Sequence, residues 1–326
     1  MKKTKFSLSI ILKTILAIGI LYWLTKSNYL NLSDLLKAFH PSFLPLILLL
    51  TTVSFFLNSE RFRHLLQTQN VHFSSWECWK LFMIGSFFNY VIPGGVGGDA
   101  IKAYYLKKEK GHESATGPYT VIFDRFIGLY ALMNMALIVI LLNFNTFQAN
   151  PKIVSIGIFV FAIVIGLNFL SFSAFHPPSR RFIIGLIPTR WVKFHTLLSL
   201  FMKSFEYYSH HPRKILYGLI LSVFSQVLVV FTLYLTGSAV GDHSIPLLGY
   251  FFVAPLGLAL SALPIAPPGG VGIGQAAFLF LFNVYLGTKT SIGPTVVTIF
   301  QLASLTISLI GLYFYLARKN SLDYMN

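Results

Sequence analysis

Two glycine clusters stand out where backbone chemistry would be exposed. Asn89-Tyr90-Val91-Ile92-Pro93-Gly94-Gly95-Val96-Gly97-Gly98-Asp99 is the first, and Pro264-Ile265-Ala266-Pro267-Pro268-Gly269-Gly270-Val271-Gly272-Ile273-Gly274-Gln275 is the second. Pro-Gly-Gly-Val-Gly recurs unchanged at 93–97 and 268–272, each time in the middle of an apolar segment. A helix starting after such a cluster leaves its first N–H groups without intrahelical partners and carries partial positive charge there. Glycine permits positive φ and close backbone approach, so an anion such as a phosphate can meet several N–H groups at once. The alternative is that the glycines serve close helix packing and the prolines only turn the chain. Ionisable residues within or beside apolar segments are the second source of chemistry: Asp99, directly after the first cluster, and the adjacent pair Asp124-Arg125. Such groups are costly in a membrane and are paired or functional. Neighbours on a helix point about 100° apart, so Asp124 and Arg125 are expected to pair with other groups. Arg125 has two candidate partners, Asp99 and a lipid phosphate gripped by its planar fork. A structural ion pair is the plainer role for Asp99.

The elements that must hold these residues are membrane helices. The 326 residues are 55% hydrophobic and only 11% charged, where a soluble domain has about a quarter charged. Mean hydropathy is +0.69 and aromatics are abundant, with 32 Phe, 16 Tyr and 4 Trp. Crossing a hydrocarbon core needs roughly 20 apolar residues. By that measure full spans are expected at 6–24, 42–59, 119–143, 152–174, 214–236 and 291–317. The first resembles a signal peptide but is followed by no small-residue cleavage site, so it is read as a retained anchor. Segments 81–106 and 247–286 hold the glycine clusters at their centres and are read as broken or re-entrant helical hairpins.

Net charge is +15. With both termini placed in the cytoplasm, every basic residue except Lys26, Lys37, Lys152, Lys289 and Arg125 falls on the cytoplasmic side, as the positive-inside rule requires. The surplus charge thus belongs to membrane topology, and nucleic acid is not expected as a partner. The two hairpins then enter from opposite sides, which makes the chain a single membrane domain, 1–326, with inverted pseudo-repeats at about 42–143 and 214–317. Secondary transporters share this plan and bind substrate where helices are broken.

Other motifs are silent. Cys78 is the only cysteine, so no intramolecular disulfide or paired-thiolate metal site can form. The histidines lack metal-ligand spacing, and Gly270-Val271-Gly272-Ile273-Gly274 lacks the Lys-Ser/Thr of a phosphate-binding loop. No metal or cofactor is expected. Arg63 is read as a headgroup anchor, Gln226 and Gln301 as bonds between helices, and 193–212 as either an interfacial helix or a plain loop.

The run Asn-x3-Pro-Gly-Gly-x-Gly-Gly-Asp-x2-Lys over 89–102, Asp124-Arg125-x2-Gly128-Leu129, and Pro-Pro-Gly-Gly-Val-Gly at 267–272 resemble the lysylphosphatidylglycerol synthase transmembrane, or flippase-like, family. The resemblance covers nearly the whole chain. It implies substrate-binding roles for Asn89, Pro93, Gly94, Gly95, Gly97, Gly98, Asp99 and Lys102, for Asp124 and Arg125, and for Pro268, Gly269, Gly270, Gly272 and Gln275, with Gly128 matching the second motif. The chain departs from the pattern in Lys102 for a frequent Arg, Asp124 for a frequent Glu, and Gln275 for a common Glu. The last bears on proton coupling and on substrate charge. Synthases of the family carry an aminoacyltransferase domain after the membrane domain. The few residues after Ala317 leave no room for one, so this chain is not expected to charge lipids.

The implied function is a flippase or transporter moving a polar or anionic phospholipid between leaflets of the bacterial inner membrane, in association with a lipid-synthesising enzyme. The competing readings are a membrane transferase or hydrolase acting on lipid-linked substrates and a non-catalytic accessory subunit. Against an enzyme stand the absence of a nucleophile–base pair and of paired carboxylates outside the Asp99/Asp124 region.

Overall fold

The structure is a computed structural model and describes residues 15, 18–22, 24–26, 42–92, 97–110, 116–144, 150–186, 192–263 and 266–323. Most of the expected first span lies outside these residues, as do Pro93, Gly94 and Gly95. Among the described residues the fold is all-α, with no strand. In chain order the helices are α1 (Leu44–Thr68), α2 (Ser75–Val91), α3 (Gly97–Lys110), α4 (Thr116–Leu142), α5 (Pro151–Phe175), α6 (Pro177–Leu186), α7 (Val192–Ser209), α8 (Pro212–Ala239), α9 (Leu247–Ser261), a 3-10 turn (Pro268–Gly270), α10 (Ile273–Leu286) and α11 (Ile292–Asp323).

Among the described residues five stretches are long and apolar enough to cross a membrane: Gly117–Leu142, Pro151–Phe175, Pro212–Ala239, Pro268–Leu286 and Ile292–Ala317. Four of them coincide with expected spans; the fifth is the returning arm of the expected second hairpin. Its outgoing arm, α9, is apolar but only 15 residues long. At 1.5 Å per residue it falls short of a bilayer core of about 30 Å. The expected span at 42–59 does not stop there, because nothing between Leu57 and Thr68 breaks a helix, and α1 runs on for 25 residues through Glu60, Arg61, Arg63 and His64. It ends on Asn70, whose φ of 56° supplies a left-handed cap while Val71 N–H reaches back to the Leu66 carbonyl. α2 opens on a reciprocal cap: Ser74 N–H donates to Glu77 Oε2 at 2.9 Å, and Glu77 N–H donates to Ser74 Oγ at 3.2 Å.

The helices form two compact units, with boundaries inside α1, α2, α3 and α8. One comprises residues 1–55, 80–101 and 226–326 and contains both glycine breaks. In it α9 packs on α10 and α10 on α11, around the buried rings of Tyr250, Phe252, Phe278 and Phe282. The other comprises 56–79 and 102–225. Here α7 packs on α4 and α5, with α6 on α5 and α7. Its core joins Leu65, Phe123, Ile127, Ala174, Met202, Phe205 and Tyr208, and the Phe123 and Tyr208 rings stack at 4.1 Å. The segment 193–212 is therefore not a plain loop: it is mostly helix α7, and Met202, Phe205 and Tyr208 take its apolar face into this core. The Tyr208 hydroxyl, which accepts from Gln69 Nε2 at 2.8 Å, bonds the Leu65 carbonyl at 3.2 Å and so helps finish α1.

Candidate functional site

Each glycine cluster separates two helices, and in each the second helix starts where Pro-Gly-Gly-Val-Gly ends: α3 at Gly97 and α10 at Ile273. At the first break, α3 begins hard against α2. A Cβ on Gly98 would lie 1.9 Å from the Gly85 carbonyl oxygen, so only glycine fits. The Gly98 N–H donates to Asn89 Oδ1 at 3.0 Å. Asp99 follows in the first turn of α3 and is buried. Lys102, one turn on and also buried, holds its ammonium 4.9 Å from the Phe62 ring centre.

At the second break Gly269, Gly270 and Gly272 all have positive φ, at 64°, 71° and 86°. The turn that results is held by side-chain amides. Gly272 N–H donates to Gln275 Oε1 at 2.7 Å, while Gln275 Nε2 donates to Gln301 Oε1 at 2.7 Å and to Thr298 Oγ1 at 3.0 Å. Gln301 Nε2 then donates to the Gly269 carbonyl at 3.2 Å, closing a ring of bonds between the turn, α10 and α11. The Tyr90 hydroxyl, from α2, reaches the Gln301 carbonyl at 3.4 Å, and a Cβ on Gly269 would meet the Tyr90 ring at 2.5 Å. Gln301 thus makes the expected bond between helices. Gln275 does what a carboxylate could not, accepting one hydrogen bond and donating two. Neither helix start is bare: Asn89 at one break and Gln275 at the other offer a neutral carbonyl to an early N–H.

In the other unit, Asp124 is buried and its partner is Arg61. Nε donates to Oδ1 at 2.7 Å and Nη2 to Oδ2 at 3.0 Å, a two-pronged pair, while Nη1 donates to Ser222 Oγ at 2.9 Å. Gly128 lies beside this guanidinium, where a Cβ would be 3.3 Å from Nη1, and Gly218 lies beside the aliphatic stem of Arg61. Arg125 is exposed. The pairing expected for the Asp124-Arg125 dipeptide is therefore met at Asp124 by a residue from α1 that the sequence reading passed over. A signal was present, because Thr51, Ser54, Asn58 and Arg61 recur at helical spacing on α1 as Ser222 and Ser225 do on α8, and Asn58 Nδ2 donates to Ser225 Oγ at 2.7 Å. Arg63, expected to reach outward, folds back on Glu60 at 2.6 Å.

Cys78 is buried beside this seam and its Sγ donates to the Ser59 carbonyl at 3.4 Å. Burial pushes its thiol up to about 12. Since thiolate is the reactive form, a maleimide at neutral pH should leave Cys78 unlabelled in the folded protein and label it once detergent denatures the chain. Rapid labelling of the folded protein would contradict this placement.

The family model described as "Lysylphosphatidylglycerol synthase TM region" matches residues 10–311. No curated protein matches the chain closely enough to count as a relative. With nearly the whole sequence inside that match, the protein belongs to the lysylphosphatidylglycerol synthase transmembrane family.

Proposed function

We propose that this family member moves a polar or anionic phospholipid between the two leaflets of a bacterial inner membrane, with both termini in the cytoplasm and a lipid-synthesising enzyme as supplier or user of the lipid. The observation that carries the reading is the repeated break: two helices start at the end of the same Pro-Gly-Gly-Val-Gly, α3 at its last glycine and α10 just past it, each inside an apolar segment. Irregular backbone such as the positive-φ turn at Gly269, Gly270 and Gly272 is tolerated at membrane depth only when protein buries it or when it lines a wet cavity. The headgroup is read as passing along Asn89, Gly97, Gly98, Asp99 and the Gly269–Gln275 turn while the acyl chains stay in lipid. Lacking a nucleotide-binding motif, the movement runs downhill or is driven by an ion.

The test is sidedness. Proteoliposomes carrying fluorescent phosphatidylglycerol in both leaflets, treated with a membrane-impermeant quencher, should lose nearly all fluorescence when the protein is present and about half without it. A half-loss in both preparations would sink the transport reading. Chemical conversion of the lipid with no change in sidedness would favour a membrane enzyme.

A further inference from the structure

The end of α1 holds a cluster outside both the breaks and the Arg61–Asp124 pair. Arg63 donates through Nε and Nη2 to one oxygen of Glu60, Oε2, at 2.9 and 2.6 Å. The same Nη2 lies 3.4 Å from His64 Nε2. A guanidinium has only donors, so this contact requires Nε2 to be an unprotonated acceptor and puts the ring proton on Nδ1. One buried acceptor is then left over: Glu60 Oε1 has no hydrogen-bond partner among the described residues, while the His64 imidazole also has the Gln67 side chain acting on it as a hydrogen-bond partner. A buried carboxylate oxygen without a donor, one helical turn from an imidazole that gains a donor on protonation, needs an explanation.

We propose that Glu60, Arg63 and His64 form a proton-operated site in which protonation of His64 exchanges its imidazolium for the Arg63 guanidinium at Glu60 and frees Arg63 for the phosphate of an anionic lipid. The switching half stands on the geometry; the lipid half rests on the transport reading. A proton on Nε2 removes the acceptor that Arg63 uses and sets two cations 3.4 Å apart. The imidazolium remains one turn from Glu60, which stays neutralised without Arg63. Arg63 is only about four-fifths buried, its side chain being 20% exposed, so its release needs no opening of the core.

The groups facing His64 are Glu60, Arg63 and Gln67 from its own helix and, from α8, Lys214 and Tyr217. The Tyr217 ring meets the imidazole at 4.5 Å, and Lys214 Nζ donates to Gln67 Oε1 at 3.3 Å. Burial first, then Arg63 and Lys214, hold His64 below the ordinary 6.5, against the opposing pull of Glu60 and Gln67. The ring is therefore neutral at neutral pH, and the switch operates as pH falls below the usual histidine range.

The experiment is equilibrium binding of fluorescent phosphatidylglycerol to the full chain in neutral detergent, at about pH 7.5 and about pH 5.5. Wild type should bind several-fold tighter at the lower pH, up to the limit of about tenfold per pH unit for one linked proton. His64→Gln, permanently neutral, should bind equally at both. Should that variant fail to fold, Glu60→Gln removes the carboxylate the two cations share and should flatten the response in the same way. His176→Gln, at an exposed histidine, should keep the wild-type response. Competition by inorganic phosphate would assign the site to free phosphate, and its absence to a headgroup. A pH response undiminished in both His64→Gln and Glu60→Gln, or none in wild type, would overturn the proposal. Translocation failing while pH-linked binding persists would instead sink the transport reading alone.

Discussion

Arg61→Ala is expected to yield little folded protein. It leaves the Asp124 carboxylate buried without the two bonds that neutralise it, and breaking a buried pair from one side costs about 3–5 kcal/mol. Against a typical total of about 5–15 kcal/mol, that loss should appear as a low monodisperse yield and a strongly lowered melting temperature in detergent. Arg61→Lys should fall between, since one ammonium cannot reproduce a two-pronged pair with a third bond to Ser222. The informative variant is the double replacement Arg61→Met with Asp124→Leu. Removing both charges should recover most of the stability, because apolar substitutes often equal a buried pair. If the double variant folds and still moves lipid, the pair is a fastener; if it folds and moves none, the pair takes part in transport. An Arg61→Ala protein as stable as wild type would refute the buried pairing itself.

Gly98→Ala and Gly270→Ala should be nearly as damaging, for a different reason. The new methyl at 98 would stand 1.9 Å from a backbone oxygen of α2, which no side-chain rearrangement relieves. At 270 it would stand 2.7 Å from the Ser261 carbonyl oxygen on a residue with φ of 71°. Overpacking alone costs about 1–3 kcal/mol, and strained backbone adds to it at Gly270. Gly157→Ala is the control: its nearest neighbour is a flexible Ile140 methyl at 3.3 Å, so its melting temperature should stay near wild type. Equal effects at all three positions would show that the breaks carry no special constraint.

The parts of this fold governed by local rules could be read from the chain. Apolar length gave the spans over α4, α5, α8 and α11, and the repeated motif marked both helix starts. What could not be read depends on which faces meet in space. Arg61 looked like one more basic residue at the end of a span because α1 was expected to stop at 59, whereas the helix continues and turns that guanidinium inward to Asp124. Arg125 is conspicuous in sequence beside Asp124, yet it is exposed on α4. Gln275 was read as a missing carboxylate. Only the positions of Gly272, Thr298 and Gln301 around it reveal an amide used at both ends.

That amide has an electrical consequence. Moving one elementary charge through the whole membrane field is worth about 2.3 kcal/mol for each 100 mV. A carboxylate at position 275 would be pulled by that field and would titrate as well; the amide of Gln275 does neither, and the same holds for Asn89 at the other break. Whatever rearranges at the two helix starts, the side chains that cap them draw no work from the membrane voltage.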